Sequence, residues 1–209
     1  MPVIPPLLGR DPLLVSAYAD PSPGRRVSRV FLPLTRSDGA DEISWASLAA
    51  RKGETLSADT DLYELMDRSD AADIHPSGRT SVHTVRQLFG AIEASVSLGQ
   101  DVIVANWIGY ADKVVVGEEV EVSDDLGPWP ARDFILTRTT LAHLVQVAES
   151  EGPLPIYLWT SDHRFIFSCP YYSDSLFVTS DELVADNFRA VGLEASAVEQ
   201  DGPLAITGS

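Results

Sequence analysis

The sequence predicts an α+β fold: a mostly antiparallel sheet with helices packed on one side. Three observations carry this. Residues 154–191 run as short β-forming stretches separated by tight turns, closing on a helix. Residues 80–99 hold apolar side chains at three- and four-residue spacing, the pattern of an amphipathic helix. The connections after Trp107 and Trp159 are hairpin-like, which antiparallel pairing permits and parallel pairing does not.

Taken in order, residues 1–26 read as an extended arm. Pro2, Pro5, Pro6, Pro12, Pro21 and Pro23 fix φ and remove donors, so no helix longer than about two turns is expected there. Val3, Ile4, Leu7, Leu8, Leu13, Leu14 and Val15 make the arm apolar, which predicts packing along its own domain or against another subunit. Residues 27–200 are expected to form a single α+β domain, and 201–209 a loose tail.

The first strand is predicted over Val27–Leu34, with a turn at Ser37-Asp38-Gly39. Ser44 is placed to cap a short helix carrying Trp45, Leu48 and Ala49, which Gly53 ends. Residues 59–73 pair one apolar face (Leu62, Leu65, Met66) with an acidic one, predicting a helix broken by His75-Pro76-Ser77-Gly78. The longest helix runs from Thr80 to a stop at Gly99, its stripe being Val82, Val85, Leu88, Phe89, Ile92 and Val96.

Strands follow at 102–108 and 113–116. Glu118, Glu119, Glu121, Asp124 and Asp125, interrupted by Val120 and Val122, suit an acid-faced edge strand that resists edge-to-edge pairing. Phe134–Leu136 is a short strand and 139–150 a helix. The best-patterned stretch is Leu154–Val191. Strands at 156–159, 165–167 and 176–178 flank the turn Ser161-Asp162-His163-Arg164 and the break at Cys169-Pro170. Thr179 and Glu182 have capping-box spacing for a helix over 180–191, with Gly192 as its stop. Helix, glycine, strand and tryptophan recur as Val96…Gly99…Trp107 and Ala148…Gly152…Trp159; this is either chance or a duplication, and a duplication would mean two αββ units sharing one sheet.

Composition narrows the function classes. At 44% hydrophobic and 22% charged residues, the 209-residue chain can build a core, which excludes wholesale disorder. The longest apolar run, 102–111, contains Asn106 and falls far short of the roughly 20 residues of a membrane helix. No secretory signal pattern precedes the arm, and Cys169 is the only cysteine, so a reducing, cytoplasmic setting is expected. The net charge of −16 is unevenly spread: residues 1–52 carry +2 and residues 53–209 carry −18. Phosphate repulsion disfavours nucleic acid as a partner, and an acidic surface favours a basic protein.

No catalytic pattern stands out. His163 and Cys169 are about 20 Å apart on an extended segment, too far to pair, so Cys169 reads as structural. The four histidines lack zinc spacing, and the glycines make no phosphate-cradling loop; no metal and no cofactor is expected. With 31 acids, close carboxylate pairs arise by chance and nominate nothing. Trp107, Tyr110, Trp129, Trp159, Tyr171 and Tyr172 fall at strand ends or in loops, where such side chains serve binding surfaces or simply cover a sheet's rim.

The composition, through no motif, resembles that of bacterial immunity or inhibitor proteins that neutralise a toxin by binding it. That resemblance implies a protein-binding module whose acidic face blocks a basic partner. The expected partner surface is Glu118, Glu119, Glu121, Asp124, Asp125, Trp129, Tyr171, Tyr172 and Asp174. Acids for it come from 59–73, from 118–125, and from Asp174 with Asp181 and Glu182. The alternatives are an assembly component that uses its arm for subunit contacts, and an enzyme or small-ligand domain with a scattered site.

Overall fold

A computed structural model of the protein describes residues 15, 19–20, 22–36, 42–66, 74–75, 81–108, 117–123, 134–148, 154–155, 157–169 and 175–199. The strands are β1 (Arg26–Phe31), β2 (Leu34–Arg36), β3 (Glu42–Ile43), β4 (Ile74–His75), β5 (Asp101–Trp107), β6 (Glu118–Ser123), β7 (Phe134–Thr140), β8 (Tyr157–Thr160), β9 (Phe165–Ser168), β10 (Ser175–Ser180) and β11 (Glu194–Val198). The helices are α1 (Trp45–Arg51), α2 (Leu62–Leu65), α3 (Val82–Glu93), α4 (Leu141–Ala148) and α5 (Ala185–Ala190). An eight-stranded sheet has the order β11-β1-β10-β9-β8-β5-β7-β6, and a three-stranded sheet the order β3-β2-β4. Every pairing in both is antiparallel. The fold is α+β and antiparallel, as the patterning predicts, but the helices are not all on one side: α1 and α2 pack in a cluster of their own.

Side-chain alternation gives the large sheet two apolar faces. On the first, Val30, Val102, Val104, Leu158, Phe165, Phe167, Leu176 and Val178 meet Val85, Leu88, Phe89 and Ile92 of α3, Leu141 and Leu144 of α4, and Phe188 of α5. On the second, Val27, Ile103, Leu136, Tyr157, Trp159, Ile166 and Phe177 bury themselves with Val15 and Ala19 from the arm. A third cluster joins Phe31 and Leu34 to Trp45, Leu48 and Ala49 of α1 and to Leu62 and Leu65 of α2. Alternation puts Phe31 opposite Val30, so α1 and α2 gather away from the face that α3, α4 and α5 cover.

Several local readings need correction. The strand predicted over 27–34 stops at Phe31, because Leu32 and Pro33 break the ladder and β2 joins the smaller sheet. The helix expected over 59–73 is, within the described residues, only α2; Met66 is already extended. The long helix starts with Ser81, whose hydroxyl accepts from the Thr84 amide, and ends at Glu93 rather than Gly99. Val96 then turns inward and is buried, whereas Val82, placed on the stripe, is exposed. The strand at 134–136 runs on to Thr140, because the β-branched Thr137, Thr139 and Thr140 pair along β5 as far as Asp101.

The predicted capping box does not form. Thr179 lies inside β10, paired to Val27 and Ile166, and its hydroxyl accepts from the Asp20 amide. Two-sided strand pairing uses up that residue, and α5 begins only at Ala185 with no side-chain cap. Its stop is as expected: Gly192 has φ +91°. β11 carries no clear sequence signal, being built of small residues, and is held by register with β1.

The expected pair of αββ units is not confirmed: β8 and β9 pair directly, but the strand expected to follow β5 in the first unit falls outside the described residues. Residues 113–116, the strand expected after Trp107, lie outside the described residues, as do 1–14 of the arm and 201–209.

Candidate partner-binding surface

Strand register decides which acids are neighbours. Ser180 pairs with Phe165, Thr160 with Val102, Asp101 with Thr140, and Glu118 with Arg138. All of these sit at one end of the large sheet. Seven exposed acids are grouped there: Asp101, Glu118, Glu119, Asp162, Asp181, Glu182 and Glu199. The counter-charges are Arg25, Arg26, Arg138 and Arg164. From β6 to β10 is five strand spacings, about 24 Å, so this is a broad acidic rim rather than a point charge.

The β8–β9 turn carries a dense hydrogen-bond network. The Thr160 hydroxyl donates to Asp162 Oδ1 at 2.6 Å and accepts from the Phe165 amide at 3.2 Å. The Arg164 amide also donates to Asp162 Oδ1, at 3.1 Å. The Thr160 bond is the largest cause holding the Asp162 carboxyl below its ordinary value; slight burial opposes it and Arg164 assists. His163 takes the left-handed conformation, φ 57°, that closes the turn. Its carbonyl accepts from Arg25, which also bonds Asp181 and lies 3.5 Å from Asp20. Arg164 Nε reaches Asp181 at 3.0 Å. One guanidinium thus ties the arm, the turn and the end of β10 together.

Beside this network lies a cleft of ≈ 540 Å³. Its walls are residues 94–96 just past α3, Gln100, Thr160, Asp162, Arg164, Phe165, residues 180–184 and Asn187. Asn187 Nδ2 donates to Ser95 Oγ at 3.2 Å across one wall. The lining is mostly hydrogen-bonding groups, suited to polar or cationic groups rather than to an apolar ligand.

Of the surface expected from sequence, Glu118 and Glu119 are exposed on β6, the end strand of the sheet among the described residues. Glu121 is on the same strand, past an irregularity between Glu119 and Glu121. Asp124, Asp125, Trp129, Tyr171, Tyr172 and Asp174 lie outside the described residues. Of the group Asp174, Asp181 and Glu182, the described residues place Asp181 and Glu182, both exposed just past the end of β10.

The acids of 59–64 belong elsewhere. Arg29, buried on β1, donates from Nε to Ser175 Oγ and from its Nη1 to the carbonyls of Ala58 and Thr60. Ser175 starts β10 at the end opposite Ser180. Among the described residues, Glu118 and Glu119 therefore share one end of the sheet with Asp181 and Glu182, and residues 58–60 sit toward the other.

Trp159, expected at a strand end, is fully buried in the second-face core and serves packing. Cys169 is half-buried at the margin of the first-face core. Among the described residues no three His, Cys, Asp or Glu side chains are placed to hold a metal ion, and no helix is long and apolar enough to cross a membrane. The sequence reading missed Arg25 and Arg29, whose partners are distant in the chain, and Tyr63, which is 49% exposed. The signal for Tyr63 was present: burying Leu62 and Leu65 of α2 turns the residues between them outward.

Comparison of the chain with protein-family models, with curated proteins and with solved structures finds no match.

Proposed function

We propose that this protein is an acidic protein-binding module that docks on and blocks a basic partner, as immunity and inhibitor proteins do. The observation that carries the reading is the shared position of Glu118, Glu119, Asp101, Asp162, Asp181 and Glu182 at one end of the sheet. Such a rim raises the local concentration of a cationic partner and orients its approach. The single cysteine supports a cytoplasmic setting. Capture of the partner from the native host, then binding kinetics at several salt concentrations with Glu118→Gln and Glu119→Gln, tests the reading.

The assembly alternative, in which the arm reaches another subunit, is disfavoured by the seating of Val15 and Ala19. Both are buried on the chain's own second face, and the Asp20 amide bonds Thr179. We take residues 27–200 as a single domain along which the arm, residues 1–26, packs. Deleting residues 1–24 is expected to uncover apolar surface rather than to dissolve an oligomer, and sedimentation distinguishes the two. A common origin for the two αββ segments is a separate proposal, favoured by α3 and α4 sharing one core. Its test is whether related chains align internally over both segments at a constant offset.

A further inference from the structure

Among the described residues, the two outer strands of the large sheet are finished differently. β6 carries Glu118 and Glu119 and a register irregularity, both of which resist pairing with another chain. β11, outermost beside β1, reads Glu194-Ala195-Ser196-Ala197-Val198 and pairs with β1 in unbroken register. It holds no lysine, proline or bulge. Its one charge, Glu194, is turned to the amides of Trp45 and Ala46.

The polar groups of this edge can be oriented. Successive residues of an antiparallel strand point their N–H and C=O alternately toward and away from the neighbour. The Ala195 carbonyl accepts from Arg189 Nη1 at 2.8 Å, so Ala195 points away from β1, and Ala197 does as well. Ser196 and Val198 then face β1. Ala197 is exposed, so its amide and carbonyl stand open to an added strand. Beside it lies a groove of ≈ 700 Å³ whose lining includes Arg26, Val27, Leu183, Ala197, Val198 and Glu199. Leu183 is 45% exposed there.

This edge is complementary to itself. A two-fold axis at Ala197 pairs that residue with its own copy and Ala195 with the second copy's Glu199, all of them outward-pointing. Glu199 is exposed and makes no ion pair among the described residues. The register sets it opposite Ala195, where Arg189 of α5 sits, bonded also to Asp186. Alternation turns the Ala195 and Glu199 side chains to the face that α5 covers, so carboxylate and guanidinium share a side. Alanine and serine side chains raise no steric bar. Because Ala197 lines the groove, the axis also brings the two Leu183 grooves together.

We propose that β11 is a self-pairing edge, at which two copies of this chain join antiparallel about Ala197 and continue the sheet across a dimer. Five paired residues a side bury less than the about 1,200 Å² of a standard interface, so the dimer is weak and forms at high concentration. The proposal is independent of the acidic rim.

The test is sedimentation and amide exchange of the full chain from about 10 μM to about 1 mM, where small interfaces associate. The expected result is a monomer–dimer equilibrium. The amides of Ala195, Ala197 and Glu199 should gain protection as concentration rises, while Ser196 and Val198, already facing β1, should not change. Ala197→Pro removes an outward donor without touching the β1 ladder, and should abolish the dimer. Ala197→Lys, which needs no proline geometry, should do the same. Glu199→Gln should weaken the dimer about two- to fivefold. Melting curves confirm that each variant is folded. A chain that stays monomeric to about 1 mM, or a dimer that survives both Ala197 variants, overturns the proposal. Protection of Ala197 that is equal at every concentration also overturns it, since the edge is then covered without a second copy.

Discussion

Removing the Glu194 carboxylate should loosen the junction between β11 and the third cluster. Glu194 opens β11, and its Oε2 and Oε1 accept from the amides of Trp45 at 2.8 Å and Ala46 at 2.9 Å. These are first-turn donors of α1, which have no partner within the helix. The residues are 149 and 148 positions apart, so the contact joins distant parts of the chain. Two charge-assisted bonds at a half-buried helix end, plus the favourable macrodipole, support an estimate of about 2–3 kcal/mol for Glu194→Ala. Glu194→Gln keeps one acceptor and should lose about half of that. Urea unfolding read by Trp45 fluorescence measures it: the midpoint should fall with an unchanged slope. Ser44 caps a different donor, Ser47 N, so Ser44→Ala, about 1 kcal/mol by itself, should add to the Glu194 effect within about 0.5 kcal/mol. A loss below about 0.5 kcal/mol for Glu194→Ala would refute the idea that this carboxylate joins the two units.

Two further outcomes follow from the rim. The folded pKa of Asp162 lies below its ordinary 3.8, chiefly through the Thr160 hydroxyl, so its stabilising contribution is present above that value and is lost as pH falls through the lowered folded value. Asp162→Asn should flatten the acid side of the stability curve, and Thr160→Val should raise the Asp162 pKa seen by NMR; an acid limb unchanged in both contradicts the assignment. Gly117, at φ +98° just before β6, would bring a Cβ to 2.1 Å from the Arg138 carbonyl oxygen. Gly117→Ala should therefore cost at least about 2 kcal/mol and displace Glu118 and Glu119 from register, seen as lost amide protection along β6.

Much of the architecture was legible because period and punctuation agree. Residues 157–180 alternate β-forming runs with turn residues, and α1 lies between a capping serine and a positive-φ glycine. The acid-faced edge was legible because β6 does end the described sheet. Two of the failures share one physical cause, a long-range contact overriding a local signal. Thr179 and Glu182 have the spacing of a cap, yet Thr179 is bound on both sides by strands. β11 has little β-propensity and exists because β1 offers it an edge. Whether the acids meet depends on strand order, which no spacing reveals: Glu118 and Asp181 share an end only because β5, β7, β8 and β9 lie between them as they do.

The central claim is that an acidic rim governs association. Its most direct measurement is the association rate of the captured partner with wild type and with the Glu118→Gln, Glu119→Gln double variant, across a salt series. As the Debye length shrinks from about 10 Å at 0.1 M to about 3 Å at 1 M, the wild-type rate should fall about tenfold or more. The double variant should start slower and converge on wild type at high salt, with its dissociation rate unchanged. An association rate that ignores salt, or a partner that docks only on residues 1–52, would contradict the account.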